Sequence, residues 1–114
     1  MSSINPIDVA IHVMEAEYGL SYNAGGLKLQ GEGDLQGVPS GAMTLKGSLL
    51  FSAIPKNGSY TALCDGRLWS NGEGSIKFDF DDGSTATLTV VSIVPAPPSQ
   101  LMVSGSGLWR VEQS

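Results

Sequence analysis

The sequence predicts an all-β fold, an antiparallel up-and-down meander of seven or eight strands that closes into a small barrel, with a β-sandwich as the alternative. Apolar and polar residues alternate with a period of two over several segments. Asn-Gly and Asp-Gly dipeptides, which close two-residue hairpins, separate these segments. The short turns favour pairing of successive strands, and an open sheet of that size would leave one face bare, so closure is expected.

The N-terminal segment, residues 6–18, allows two interpretations. Asn5-Pro6 followed by Asp8 is a good helix start, with a cap, a proline at the first position and an early acid. However, β-branched residues alternate strictly along the segment, and their stiff side chains disfavour a helix. These residues are Ile7, Val9, Ile11 and Val13. The strand interpretation is therefore favoured.

The middle and C-terminal segments alternate more clearly. They are residues 27–36, 42–54, 75–80, 84–90 and 100–112. A core on one face and water on the other is typical of antiparallel strands. Val90-Val91 interrupts the alternation of its strand, which predicts a β-bulge with one inserted residue.

Residues 59–70 differ because large apolar side chains fall on both faces of the predicted strand. Leu63 and Trp69 lie opposite the side that holds Tyr60 and Leu68. Such a strand is expected to be covered on both sides, by a second layer or by a partner subunit. The low charge of the surface also predicts a homo-oligomer, because uncovered edges of uncharged strands tend to aggregate.

A weak internal repeat places a leucine before two nearby glycines and an apolar residue. Its three copies are Leu27…Gly31-Glu32-Gly33…Leu35, Leu68…Gly72-Glu73-Gly74…Ile76 and Leu101…Gly105-Ser106-Gly107…Trp109. The favoured interpretation is structural, since barrels need glycine where strands coil sharply or approach closely. Loops that let a ligand reach the backbone are the alternative.

The composition excludes several classes of function. The 114 residues, which form one domain, carry six basic and eleven acidic side chains and a net charge of −5, which argues against a nucleic-acid partner. One cysteine and one histidine provide no disulfide framework and no zinc ligand set, so neither metal nor cofactor is predicted. No apolar run approaches the roughly 18 residues of a membrane helix, and a reducing cytoplasm is the expected compartment.

Candidate binding residues lie mainly on the strand of residues 59–70. Asp65 and Arg67 share a face near Trp69, and an arginine beside an aromatic and an acid is a common composition of binding surfaces. Tyr60 and Trp109 complete the predicted set. The expected ligand is a glycan on the Trp/Ser/Thr surface or a small apolar molecule inside the barrel.

No group of residues reaches the level of a catalytic motif. His12 fits a surface histidine and Cys64 a buried, inert thiol. The leading prediction is thus a non-enzymatic binding or protein-interaction module that self-associates. The alternatives are a glycan-binding protein and a barrel enzyme of the cyclase or isomerase type, which would need a cavity with Glu15, Tyr60 or Cys64 pointing into it.

Part of the chain resembles known proteins. The stretch from Gly31 to Gly66 contains Gly31-Glu32-Gly33-Asp34-Leu35, Gly47-Ser48-Leu49-Leu50-Phe51 and Ile54-Pro55-Lys56-Asn57. In these motifs it resembles a family of small, uncharacterised bacterial β-rich proteins known only as a domain of unknown function, which implies no activity. The size and glycine content are also similar to small barrels of the lipocalin and allene-oxide-cyclase type, a likeness that implies only the fold.

Overall fold

A computed structural model describes residues 5–113 and shows eight antiparallel strands closed into a barrel. The prediction of an all-β, antiparallel small barrel is confirmed, and no helix occurs among the described residues. The strands are β1 (Ile7–Met14), β2 (Glu17–Ala24), β3 (Leu27–Asp34), β4 (Ala42–Phe51), β5 (Gly58–Leu68), β6 (Gly74–Phe80), β7 (Thr85–Val94) and β8 (Leu101–Gln113).

The order around the barrel is β1-β2-β3-β8-β5-β6-β7-β4. The predicted sequential order holds within two meanders, β1–β3 and β5–β7, and departs from it at β4 and β8. Each of these strands returns to the first strand of its own meander, so each half of the chain is a four-stranded Greek key. The connections at residues 35–41, 52–57 and 95–100 are longer than the hairpin turns and cross the ends of the barrel.

Two local predictions are confirmed. The segment of residues 6–18 begins with a strand, in which Val9, Ile11 and Val13 are buried. In β7, Ser92 pairs with Lys46 of β4 and Val90 pairs with Gly47, so Val91 is the extra residue of a bulge. The bulge returns Ile93 to the core face after the interruption.

Side chains fill the interior of the barrel. Trp109 is fully buried, and its ring centroid lies 4.9 Å from that of Phe78. Its indole Nε1 donates a hydrogen bond of 3.0 Å to the hydroxyl of Tyr18, so the polar atom of the tryptophan is satisfied inside the core. Around this centre pack the fully buried Ile11, Leu29, Leu35, Leu45, Leu49, Leu68, Ile76, Leu88 and Val90.

Glycines let the backbones of β3 and β8 approach closely. A Cβ atom added at Gly105 would lie 2.0 Å from the carbonyl oxygen of Asp34, and one added at Gly33 would lie 2.1 Å from that of Ser106. At Gly31 the indole of Trp109 occupies the space, since an added Cβ would lie 2.9 Å from the ring. These contacts support the structural interpretation of the repeated glycines in two of the three copies. In the other copy, a Cβ atom added at Gly74 would lie 2.7 Å from the carbonyl oxygen of Arg67, which supports the same interpretation.

We expect Gly105→Ala to lower the free energy of unfolding by about 1–3 kcal/mol or more. This range is the usual cost of overpacking, and a higher cost is expected here because the added Cβ would clash with backbone atoms. Gly19→Ala is the matched control, since its added Cβ would meet nothing nearer than 4.0 Å. Urea denaturation of the two variants measures the difference. Equal midpoints for both variants would contradict a close approach at Gly105.

Candidate functional site

The five predicted binding residues lie in three different places. Trp109 is in the core, Tyr60 is half-buried at one end of the barrel, and Asp65 and Arg67 are exposed on the outer face of β5. Trp69 follows directly after this strand. Tyr60 and Arg67 are seven positions apart on one extended strand, roughly 23 Å at about 3.3 Å per residue, so the five residues do not form one site.

The expectation for Trp109 requires correction. Its side chain is 0% exposed and cannot contact a ligand on the outer surface. The cause is the alternation of β8, which places Trp109 on the same side as the buried Val103 and Val111. Trp69, which is 39% exposed, is the tryptophan that is accessible from the outer surface.

The outer surface of β5 and β8 combines exposed apolar groups with two opposite charges. We call it the β5–β8 face and define it by Leu63, Asp65, Arg67, Trp69 and Met102. Leu63 is 62% exposed and Met102 is 70% exposed. Met102 lies directly opposite Arg67 in the β5–β8 ladder. The prediction that β5 has large apolar residues on both sides is confirmed, because Leu63 points outward while Cys64 and Leu68 point into the core.

The two charges of the β5–β8 face are open to partners. Among residues 5–113 the ion pair with a separation below 4 Å joins Lys77 Nζ and Asp79 Oδ1 at 3.8 Å, both on neighbouring β6. Lys77 lies opposite Asp65 in the ladder but its ammonium is directed at Asp79. A shallow depression of about 280 Å³ lies between Asp65, Arg67 and Met102. The face thus offers a charge of each sign beside a recess.

A second feature is the barrel end where β4 finishes and β5 begins. Tyr60 projects there, and its hydroxyl donates a hydrogen bond of 2.6 Å to the carbonyl oxygen of Lys56. Its ring stands edge-on to Phe80, at a centroid distance of 6.0 Å. A pocket of about 250 Å³ opens beside these rings.

A third concavity is a broad groove of about 470 Å³ on the outside of β1, β2, β3 and β8. It exists because Gly19 presents no side chain between His12 and Glu32, which lie on either side of it in the ladder. Arg110 and Leu108 form its far wall. Sequence reasoning missed it, and the available signal was Gly19 at an outward position of β2.

The residues that an enzyme of the cyclase type would use do not meet. Glu15 lies in the turn between β1 and β2, at the end of the barrel opposite Tyr60. Cys64 lies between them inside the core, and burial raises the pKa of its thiol to about 11. A thiol with that pKa stays protonated at neutral pH and is a poor nucleophile.

Within residues 5–113 no group of three or more His, Cys, Asp and Glu side chains is placed to hold a metal ion. The same part of the chain contains no helix of the length and apolarity needed to cross a membrane.

Comparison with known proteins found no match among family models, curated proteins or solved structures. The two resemblances seen in the sequence therefore stay predictions.

Proposed function

We propose that this protein is an interaction module that binds a second copy of itself through the β5–β8 face. The observation that supports the proposal is the order of side chains along this face of β5. Apolar Leu63 is followed by acidic Asp65, basic Arg67 and apolar Trp69, each two positions from the next. This order is its own complement when it is read in the opposite direction.

A twofold axis would bring each side chain of this order against its complement on the partner subunit. In a symmetric dimer, residue i of one subunit contacts residue j of the other, and j contacts i. We place the twofold axis between the two packed faces, over Gly66 and perpendicular to β5. It sets Asp65 against Arg67 of the partner subunit, and the same pair forms a second time. It also sets Leu63 against the partner's Trp69, again twice. Two charge pairs at the centre are thus flanked by two apolar contacts.

The dimensions of the face agree with this arrangement. Packed sheets lie roughly 10 Å apart, a gap that an arginine and an aspartate side chain bridge together. Met102, the most exposed large apolar residue of the described chain at 70%, stands at the rim of the depression beside Asp65 and Arg67. Under the same axis, the partner's Met102 fills this depression. Apolar side chains that lose water in this way supply the main driving force for association.

The other two candidate functions have less support. A glycan site on a tryptophan surface would rest on Trp69 alone, because Trp109 is in the core. A barrel enzyme would need space inside the barrel, where fully buried side chains such as Phe78 and Leu45 are packed.

Charge reversal tests the proposal. We expect the native protein to sediment as a dimer of twice 11.9 kDa at micromolar concentration. Asp65→Arg places like charges across the axis and is expected to raise the dimer dissociation constant at least tenfold, as Arg67→Asp does. The double exchange, Asp65→Arg with Arg67→Asp, restores opposite charges across the axis and is expected to recover the dimer.

Asp8→Arg is the matched control, because it reverses an exposed acid on β1, which lies on the other side of the barrel. Sedimentation velocity over a concentration series gives all the dissociation constants. A native protein that stays monomeric at about 100 µM, a concentration comparable with the dissociation constant of a weak complex, would overturn the proposal. A dimer that tolerates Asp65→Arg as well as Asp8→Arg would exclude this face.

A further inference from the structure

The pocket beside Tyr60, which we call the end pocket, is formed by the ends of four strands and the connection between β4 and β5. Its floor consists of Phe51, Phe80 and Tyr60, and its rim carries Lys56 and Asp82. We propose that the end pocket binds a neutral molecule with a single aromatic ring and one hydroxyl group. This site is separate from the β5–β8 face, so failure of self-association leaves the inference standing.

The floor is an aromatic surface. Phe51 and Phe80 lie nearly parallel, with centroids 6.3 Å apart and an interplanar angle of 19°. Tyr60 meets Phe80 at 67°, edge to face. Both phenylalanines line the pocket while keeping less than a tenth of their surface exposed. A bound ring therefore continues an existing cluster in which stacked and edge-on contacts are favourable.

The wall of the pocket is held in place before any ligand binds. The hydroxyl of Tyr60 holds the connection between β4 and β5 by donating a hydrogen bond to the carbonyl oxygen of Lys56. From the end of β8, the backbone N–H of Gln113 donates to Asn57 Oδ1 at 2.6 Å, and its side-chain amide donates to the carbonyl oxygen of Pro55. A preformed wall reduces the entropy that binding would otherwise cost.

The rim indicates a neutral ligand. Hydrogen bonds from the hydroxyl and backbone N–H of Ser84 lower the pKa of Asp82, and the charge of Lys56 lowers it further, so Asp82 is ionised at neutral pH. An anion is attracted by Lys56 and repelled by Asp82, and a cation meets the reverse. A hydroxyl group is compatible with either charge, because it can donate to a carboxylate and can accept from an ammonium.

The volume sets the size of the ligand. A cavity of about 150 Å³ lined by apolar side chains binds benzene. The end pocket, at about 250 Å³, has room for one ring and a short substituent. A phenol with a small alkyl group matches the volume, the aromatic floor and the rim.

The test is a titration of the native protein with p-cresol, followed by the shifts of its backbone amide signals in nuclear magnetic resonance spectra. We expect saturable shifts centred on Tyr60, Phe80 and Ser84, with a dissociation constant below about 1 mM. Benzoate and benzylamine, which carry a charge in place of the hydroxyl, are expected to bind at least tenfold more weakly. Equal or tighter binding of either charged compound would overturn the assignment of a neutral ligand.

A pair of variants connects the binding to this pocket. Ala53 is an exposed residue that lines the pocket, so Ala53→Phe fills the space without changing the core and is expected to weaken p-cresol binding at least tenfold. Ala96→Phe is the control, since Ala96 is exposed in the connection between β7 and β8 at the opposite end. Unchanged binding by the folded Ala53→Phe variant, or no saturable binding by the native protein, would overturn the proposal.

Discussion

Replacing Trp109 with alanine is expected to lower the free energy of unfolding by about 3–5 kcal/mol, the range for removal of a large aromatic side chain from a core. The indole is 0% exposed and lies between Phe78, at 4.9 Å, and Phe80, at 5.2 Å between ring centroids. Its loss leaves a cavity where β3, β6 and β8 meet. It also removes the N–H donor that binds the hydroxyl of Tyr18.

Urea denaturation at one fixed protein concentration measures this effect, because self-association adds concentration-dependent stability. Met14→Ala, which shortens a side chain that is 63% exposed at the end of β1, is the control and should stay within about 0.5 kcal/mol of the native protein. Trp109→Phe is expected to fall between the two, since it keeps a ring but loses the donor. A cost for Trp109→Ala no larger than that for Met14→Ala would contradict a core built around the indole.

Seven of the eight strands were predictable because the signals for strands are local. Strand β2 was not predicted, because the turn before it is formed by Glu15 and Ala16 with positive φ, without the glycine or asparagine that marks the other hairpins. Alternation identified β1 against a competing helix start, and Val90-Val91 identified the bulge. Strand order was predictable only in part. The alternation of apolar residues shows which side of β4 or β8 faces the core. The same pattern would result whichever two strands were the neighbours of β4 or β8 in the barrel. The departures from sequential order depend on connections that cross the barrel ends.

The same difference between local and long-range signals applies to the candidate sites. Asp65 and Arg67 are neighbours on one face of one strand, so their proximity could be predicted from spacing. The end pocket could not, because Phe51, Tyr60 and Phe80 come from three strands that meet only when the barrel closes. Trp109 was predicted as a binding residue, although its alternation with Val111 indicated the core, where its side chain is 0% exposed.

Alkaline pH is expected to destabilise the fold strongly, because two ionisable groups of the core are held in their neutral forms. Burial raises the pKa of Tyr18 from 10.0 to about 12, although the hydrogen bond from Trp109 acts in the opposite direction. Burial likewise raises the pKa of Cys64 from 9.0 to about 11. The unfolded chain therefore loses each proton at a lower pH than the folded protein does, and stability falls as pH rises.

The stabilisation by both groups is complete below pH 9. It is lost between about pH 9 and 11 for the thiol and between about pH 10 and 12 for the phenol. A pKa difference of about 2 corresponds to about 3 kcal/mol for each group. Repulsion by an ionised Cys64 is one of the causes of the raised pKa of Tyr18, so this figure already includes it. The combined loss is thus on the order of 5 kcal/mol, comparable with the whole stability of a small domain.

Unfolding free energies at pH 8 and pH 11 separate the two contributions. Tyr18→Phe and Cys64→Ala each remove one titrating group, and each variant is expected to lose less stability than the native protein over this interval, even though both start lower at pH 8. Tyr22→Phe, which changes a half-buried tyrosine on the same strand, is the matched control. If Tyr18→Phe loses as much stability between the two pH values as Tyr22→Phe does, the buried phenol is not the group that opposes alkaline unfolding. The comparison cancels the titration of all exposed side chains, because every variant shares them.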